Sequence, residues 1–163
     1  MTLPPPPDAQ RLQAWLDQYG RDHVHPANRA LHALCVPLAT WSLIAMLWTL
    51  PVPQRWLQPG AWAVLAIVLT FYWYWKRSRT LAAALLAGFG GLALASRGAA
   101  QVLGNQRLFV LAAVVLVLAG FAQLIGQRLK GRRLRLPTQP AQLLIGPAWW
   151  MAALLHRLGI RSP

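Results

Sequence analysis

Ala30-Leu-His-Ala-Leu-Cys-Val-Pro-Leu-Ala-Thr-Trp-Ser-Leu-Ile-Ala-Met-Leu-Trp-Thr-Leu50 contains no charged side chain. Wound as an α-helix at about 1.5 Å per residue, this stretch is about 30 Å long, the thickness of a bilayer's hydrocarbon core. A helix is also the form in which such a segment satisfies its own backbone polar groups without water. The helix is expected to begin near His25 or Pro26, because a proline in the first turn lacks only an N–H that would have no partner there. It is expected to cross a membrane over residues 30–50, with a kink at Pro37, and to close at Pro51-Val-Pro53.

Three further apolar runs follow, and they predict crossings near 61–75, 80–96 and 108–125. The first ends in Phe-Tyr-Trp-Tyr-Trp, an aromatic cluster suited to the membrane interface, with Lys76, Arg77 and Arg79 directly behind it. The second carries Gly88, Gly90 and Gly91, which allow close helix approach. Both are short for a full crossing. Upstream, Asp8 follows four prolines and caps a short helix in which Leu12, Trp15, Leu16 and Tyr19 recur at helical spacing. That helix is amphipathic and lies on the membrane or against the bundle, and Gly20 stops it. The composition agrees: 56% hydrophobic residues with nine tryptophans and 12% charged residues is too apolar for an ordinary soluble domain. The expected fold is therefore all-α, a single integral membrane helical bundle over residues 1–163.

The net charge of +13 carries topological information. With four crossings, thirteen of the sixteen Lys and Arg fall on one side, leaving Arg55, Arg97 and Arg107 on the other. Positive loops stay inside, so both termini are expected to be cytoplasmic, in a bacterial inner membrane or the endoplasmic reticulum. The apolar segment from Leu143 to Leu158 is then an interfacial or re-entrant helix, since a fifth crossing would break the charge rule. The region 126–163 is thus read as a basic loop and this helix, and 1–29 as a cytoplasmic segment. Clusters of Lys and Arg between apolar runs fit anionic lipid headgroups and argue against nucleic acid. Membrane lipids are the expected partners. Nothing in the N-terminus has the basic-then-apolar pattern of a signal peptide. A single cysteine, Cys35, excludes an intrachain disulfide and is read as a small buried hydrophobe.

Groups able to ligate a metal or move a proton crowd the mouth of the first crossing: His23, His25, Asn28 and His32. Asn28 and His32 are four residues apart on one helix face, with His25 on nearly the same face. His23 is nine residues from His32 and joins it only if the turn before Pro26 folds back. Gln123 and Gln127, one turn apart at the end of the fourth run, are the expected partners from another helix. Polar residues in a membrane are functional by default. One reading is a metal site of imidazole nitrogens, with iron the natural guess; the other is a cluster that caps helices and bonds loop backbone. A haem needs two axial ligands, and His156 stands apart near the C-terminus.

Tyr19-Gly20, His23, Pro26, Asn28, His32 and Val36-Pro37 resemble the opening motif of the 2-hydroxy fatty acid dioxygenase-like family of small multispanning membrane proteins. Gln123-Leu-Ile-Gly126 and Leu143-Leu-Ile-Gly-Pro147 are similar to that family's second and third signatures. The resemblance implies an Fe(II)-dependent dioxygenase of fatty-acid α-oxidation that uses O2 to shorten a 2-hydroxy fatty acid by one carbon. It implies His23 and His32 as iron ligands, with Asn28 supporting them in the catalytic site. One departure stands out: after the second-signature glycine the family has His and this chain has Gln127, with Lys130 and Gly131 where the family has a Glu. A glutamine amide is a poor substitute for imidazole on iron. His25, outside the family pattern, lies close enough to compensate. The alternative is a non-catalytic relative that keeps the fold as a lipid-binding or structural membrane protein.

Overall fold

The computed structural model describes residues 26–53, 57–128 and 140–159, together with Gln10, Leu12, Ala14 and Leu16; of the side chains of residues 26–30, 126–128 and 140–144 only the backbone path is described. Within these residues the chain is all-α, with five helices: α1 Pro26–Thr49, α2 Ala61–Trp75, α3 Arg79–Leu103, α4 Asn105–Arg128 and α5 Pro140–Arg157.

Helix α1 starts at the expected proline and runs unbroken through Pro37. Its hydroxyls are spent on the preceding turn: Thr40 Oγ1 donates to the Val36 carbonyl and Ser42 Oγ to the Leu38 carbonyl, both at 2.8 Å. Thr70 in α2 and Ser96 in α3 do the same with the Ala66 and Leu92 carbonyls. Side chains that find partners in their own helix suit a helix without water around it.

The joints are short. Gly60 precedes α2 with φ +87°, and a Cβ there would lie 2.7 Å from the Trp48 ring, so this position takes glycine for both backbone and space. Trp62 Nε1 donates to the Pro51 carbonyl at 3.3 Å across the same joint. Ser78 caps α3 by accepting from the Leu81 N–H. Gly104, φ +79°, is the single residue between α3 and α4. Such tight turns make α2, α3 and α4 run alternately up and down. Ile44 packs with Ala93, and Ala45 with Leu108 and Ala112, so α1 lies parallel to α3 and antiparallel to α4.

The structure differs from expectation at the end of α3 and in the aromatic cluster at 71–75. The third run was expected to end at Ser96, yet α3 continues to Leu103 with Arg97 exposed on its flank. Arg97 ends an apolar run, but an arginine is a good helix former and does not end a helix; it therefore lies on α3 and not in a loop. The aromatic cluster at 71–75 is only partly an outward-facing belt. Tyr72 and Trp75 are exposed, whereas Tyr74 is fully buried among Leu81, Leu85, Ile145 and Ala148.

That cluster also receives Leu12 and Leu16, which are buried, while Gln10 before them and Ala14 between them are exposed. The N-terminal amphipathic segment is thus seated against the bundle. Trp15, Tyr19 and Gly20 lie outside the described residues.

Three helical segments, Leu31–Thr49, Arg79–Leu103 and Asn105–Ile125, are long and apolar enough to cross a membrane. Helix α2 is apolar but has 15 residues, a length of about 22 Å. The outward surface is apolar too: on α4, Val110, Val114, Leu118, Phe121 and Ile125 are all at least half exposed. A contiguous apolar face of this kind is what lipid covers and water does not.

Candidate functional site

His32 sits two turns into α1, and it is buried to 7% of its free exposure. Its ring meets the Trp149 ring edge-on, with centroids 6.2 Å apart and planes at 62°. Trp149 belongs to α5, two residues beyond Pro147, and packs against the cluster built on Tyr74, Leu81 and Ile145. The chain therefore folds its C-terminal helix back onto the start of its first one. The two stretches lie far apart in sequence, and the glycine side of α3 lets this happen: a Cβ on Gly88 would come within 2.7 Å of Met151 Cε, one turn from the Pro147–Trp149 segment.

Helix α4 arrives at the same end from the other side. With Ala45 against Leu108 and Ala112, equal rise along the antiparallel pair sets His32, about thirteen residues back, level with residues 121–125. Gln123, partly buried, is in that turn, and Gln127 follows one turn later towards the α1 start. Asn28 lies one turn before His32 on α1, placed by its backbone. The expected site residues Asn28 and His32 on α1 and Gln123 and Gln127 on α4 are thus placed at one end of the bundle, where α5 also packs. His23 and His25 lie outside the described residues. His156 is exposed on the last turn of α5, seven residues beyond Trp149, and does not share the buried environment of His32.

A profile of the family described as 2-hydroxy-palmitic acid dioxygenase Mpo1-like matches residues 9–158. The chain belongs to this family. No curated protein and no solved structure matches the chain. The match extends from the segment of Leu12 and Leu16, through His32, to the end of α5, so the contact between His32 and Trp149 lies wholly inside the Mpo1-like region.

Among the described residues no group of three or more His, Cys, Asp and Glu side chains is gathered. The chain has no glutamate, and its acids, Asp8, Asp17 and Asp22, all precede α1. Among the described residues an iron site could draw on imidazole and amide side chains, with no Asp or Glu beside them. His32 fits one position of such a set, being a buried imidazole, and imidazole suits Fe(II). Gln127 does not fit the position that the resemblance assigns to histidine. Trp149 was not singled out by sequence reasoning. Its signal was available, since it stands two residues behind the third signature on the buried side of α5, one turn after Ile145. Tyr74 was missed for a different reason: its spacing of seven from buried Ile67 marks it as inward-facing, and its aromatic neighbours disguised that.

Proposed function

We propose that this chain is a membrane-embedded Fe(II)-dependent dioxygenase acting on 2-hydroxy fatty acids, shortening them by one carbon, with its reaction centre at the end of the bundle where α1 begins. The observation that carries this reading is the buried His32, held against Trp149 within a match to the family that covers nearly the whole chain. His23 and His32 would hold the metal, Asn28 would support them, and His25 would stand in for the imidazole that Gln127 replaces. Bound there, iron would supply the activation of O2 for cleavage between the carboxyl carbon and the hydroxylated carbon.

The protein's own part is positioning and shielding. The Trp149 edge fixes the plane of the His32 ring. Ile145, Ala148 and Tyr74 keep water from the floor beneath Trp149. The apolar faces of α3 and α4 leave a place for the acyl tail in the bilayer, so that the carboxylate and 2-hydroxyl meet the site at its rim. Arg21 and Arg29, in the same segment as the histidines, are the nearest cations in sequence for the carboxylate. The basic clusters put this end on the cytoplasmic side, with both termini there. Purified protein given Fe(II), O2 and 2-hydroxypalmitate should release the one-carbon-shorter product, and His32→Ala should abolish it.

A second reading rests on Gln127: a relative that keeps the fold and binds lipid without chemistry. Gln127→His separates the two. A gain of iron and activity over the native chain favours the second reading, and native activity that the substitution leaves unchanged favours the first.

A further inference from the structure

The turn between α2 and α3 carries a repeated pairing in the sequence: Tyr72, Trp73 and Trp75 are each followed four residues later by Lys76, Arg77 and Arg79. In space each cation lies over its own ring, at 4.7 Å for Lys76 on Tyr72, 3.7 Å for Arg77 on Trp73 and 5.5 Å for Arg79 on Trp75. Arg77 is pinned further by an Nη1 donation to the Trp73 carbonyl at 2.7 Å. Trp75, Lys76, Arg77, Ser78 and Arg79 line a cleft of about 350 Å³.

We propose that this cleft is a binding site for the phosphate of an anionic phospholipid. Charge complementarity carries the assignment. Three cations share one cleft, and none of the residues that line it is acidic. Ordering them over rings beforehand removes part of the entropy cost of binding, which long side chains otherwise incur in full. Guanidinium groups held this way keep donors for two phosphate oxygens at once. The exposed rings of Tyr72 and Trp75 belong at headgroup depth, where a phosphodiester sits and its acyl chains continue along the apolar flank of α2. The site is distinct from the His32 centre, whose side chain is buried against α5 while Lys76 and Arg79 are exposed.

Native mass spectrometry of the full chain, titrated with phosphatidylglycerol, phosphatidylcholine or inorganic phosphate, tests this. Phosphatidylglycerol should be retained in preference to phosphatidylcholine, and inorganic phosphate should not displace it. Lys76→Gln and Arg79→Gln, singly and together, should weaken phosphatidylglycerol binding by about fivefold for each charge removed. Arg107→Gln, at the opposite end of the bundle, should leave it unchanged. Both cleft positions are exposed and glutamine is a good helix former, so the fold survives the substitutions. Equal retention of phosphatidylcholine, an unchanged preference in the double variant, or displacement by inorganic phosphate would each overturn the proposal; the last would make the cleft a site for the free anion.

Discussion

His32 and Trp149 together define what single side chains contribute. A contact against its ring helps a buried imidazole keep one orientation, and the Trp149 edge is such a contact here. Trp149→Leu removes the flat neighbour while keeping apolar volume. It is expected to lower iron content and product formation by about tenfold, in line with loss of an interaction that orients a metal ligand, whereas Trp149→Phe retains most of both. Metal analysis alongside turnover checks this, because a merely structural role for Trp149 would move the melting temperature and leave iron per folded protein constant. His32 stood out in the sequence because polar residues are so scarce there, and the structure buries it. Trp149 did not stand out, because a tryptophan among nine in an apolar helix carries no local mark of its partner.

Helix ends were read well where a residue forces them and poorly where only polarity suggested them. Pro26 opens α1, and Gly60, with its positive φ, stands immediately before α2. The end of α3 was placed seven residues early, since charge at Arg97 is not a stop signal, while Gly104 is. Gly60→Ala should therefore be costly, by about 1–3 kcal/mol, as it combines a left-handed backbone with a collision against Trp48. Gly88→Ala should be mild, since Met151 Cε is the flexible end of a side chain and can shift. Gly88→Leu should be severe, because α5 would have to move away from α3. Thermal unfolding of the detergent-purified protein distinguishes the three.

For the molecule as a whole, the all-α fold was legible from the length of uncharged runs, but the way α5 closes onto α1 was not. That closure depends on contacts between residues more than a hundred positions apart, for which no periodicity exists. The charge distribution makes a topological prediction of its own. In a chain with Cys35→Ala, single cysteines at Arg79 and Ser162 should be labelled only from the cytoplasmic side by a membrane-impermeant thiol reagent. Single cysteines at Arg55 and Arg107 should be labelled only from the opposite side. Labelling of the Arg79 and Arg107 positions from the same side would show that α3 fails to cross.

The reaction itself remains the most direct test. Purified protein loaded with Fe(II) and supplied with O2 and 2-hydroxypalmitate is assayed by mass spectrometry for the acyl product, with iron measured on the same sample. Iron bound at one equivalent per chain, a product one carbon shorter, and loss of both in His32→Ala are the predicted results. A native chain that folds, binds no iron and leaves 2-hydroxypalmitate unchanged would contradict the account.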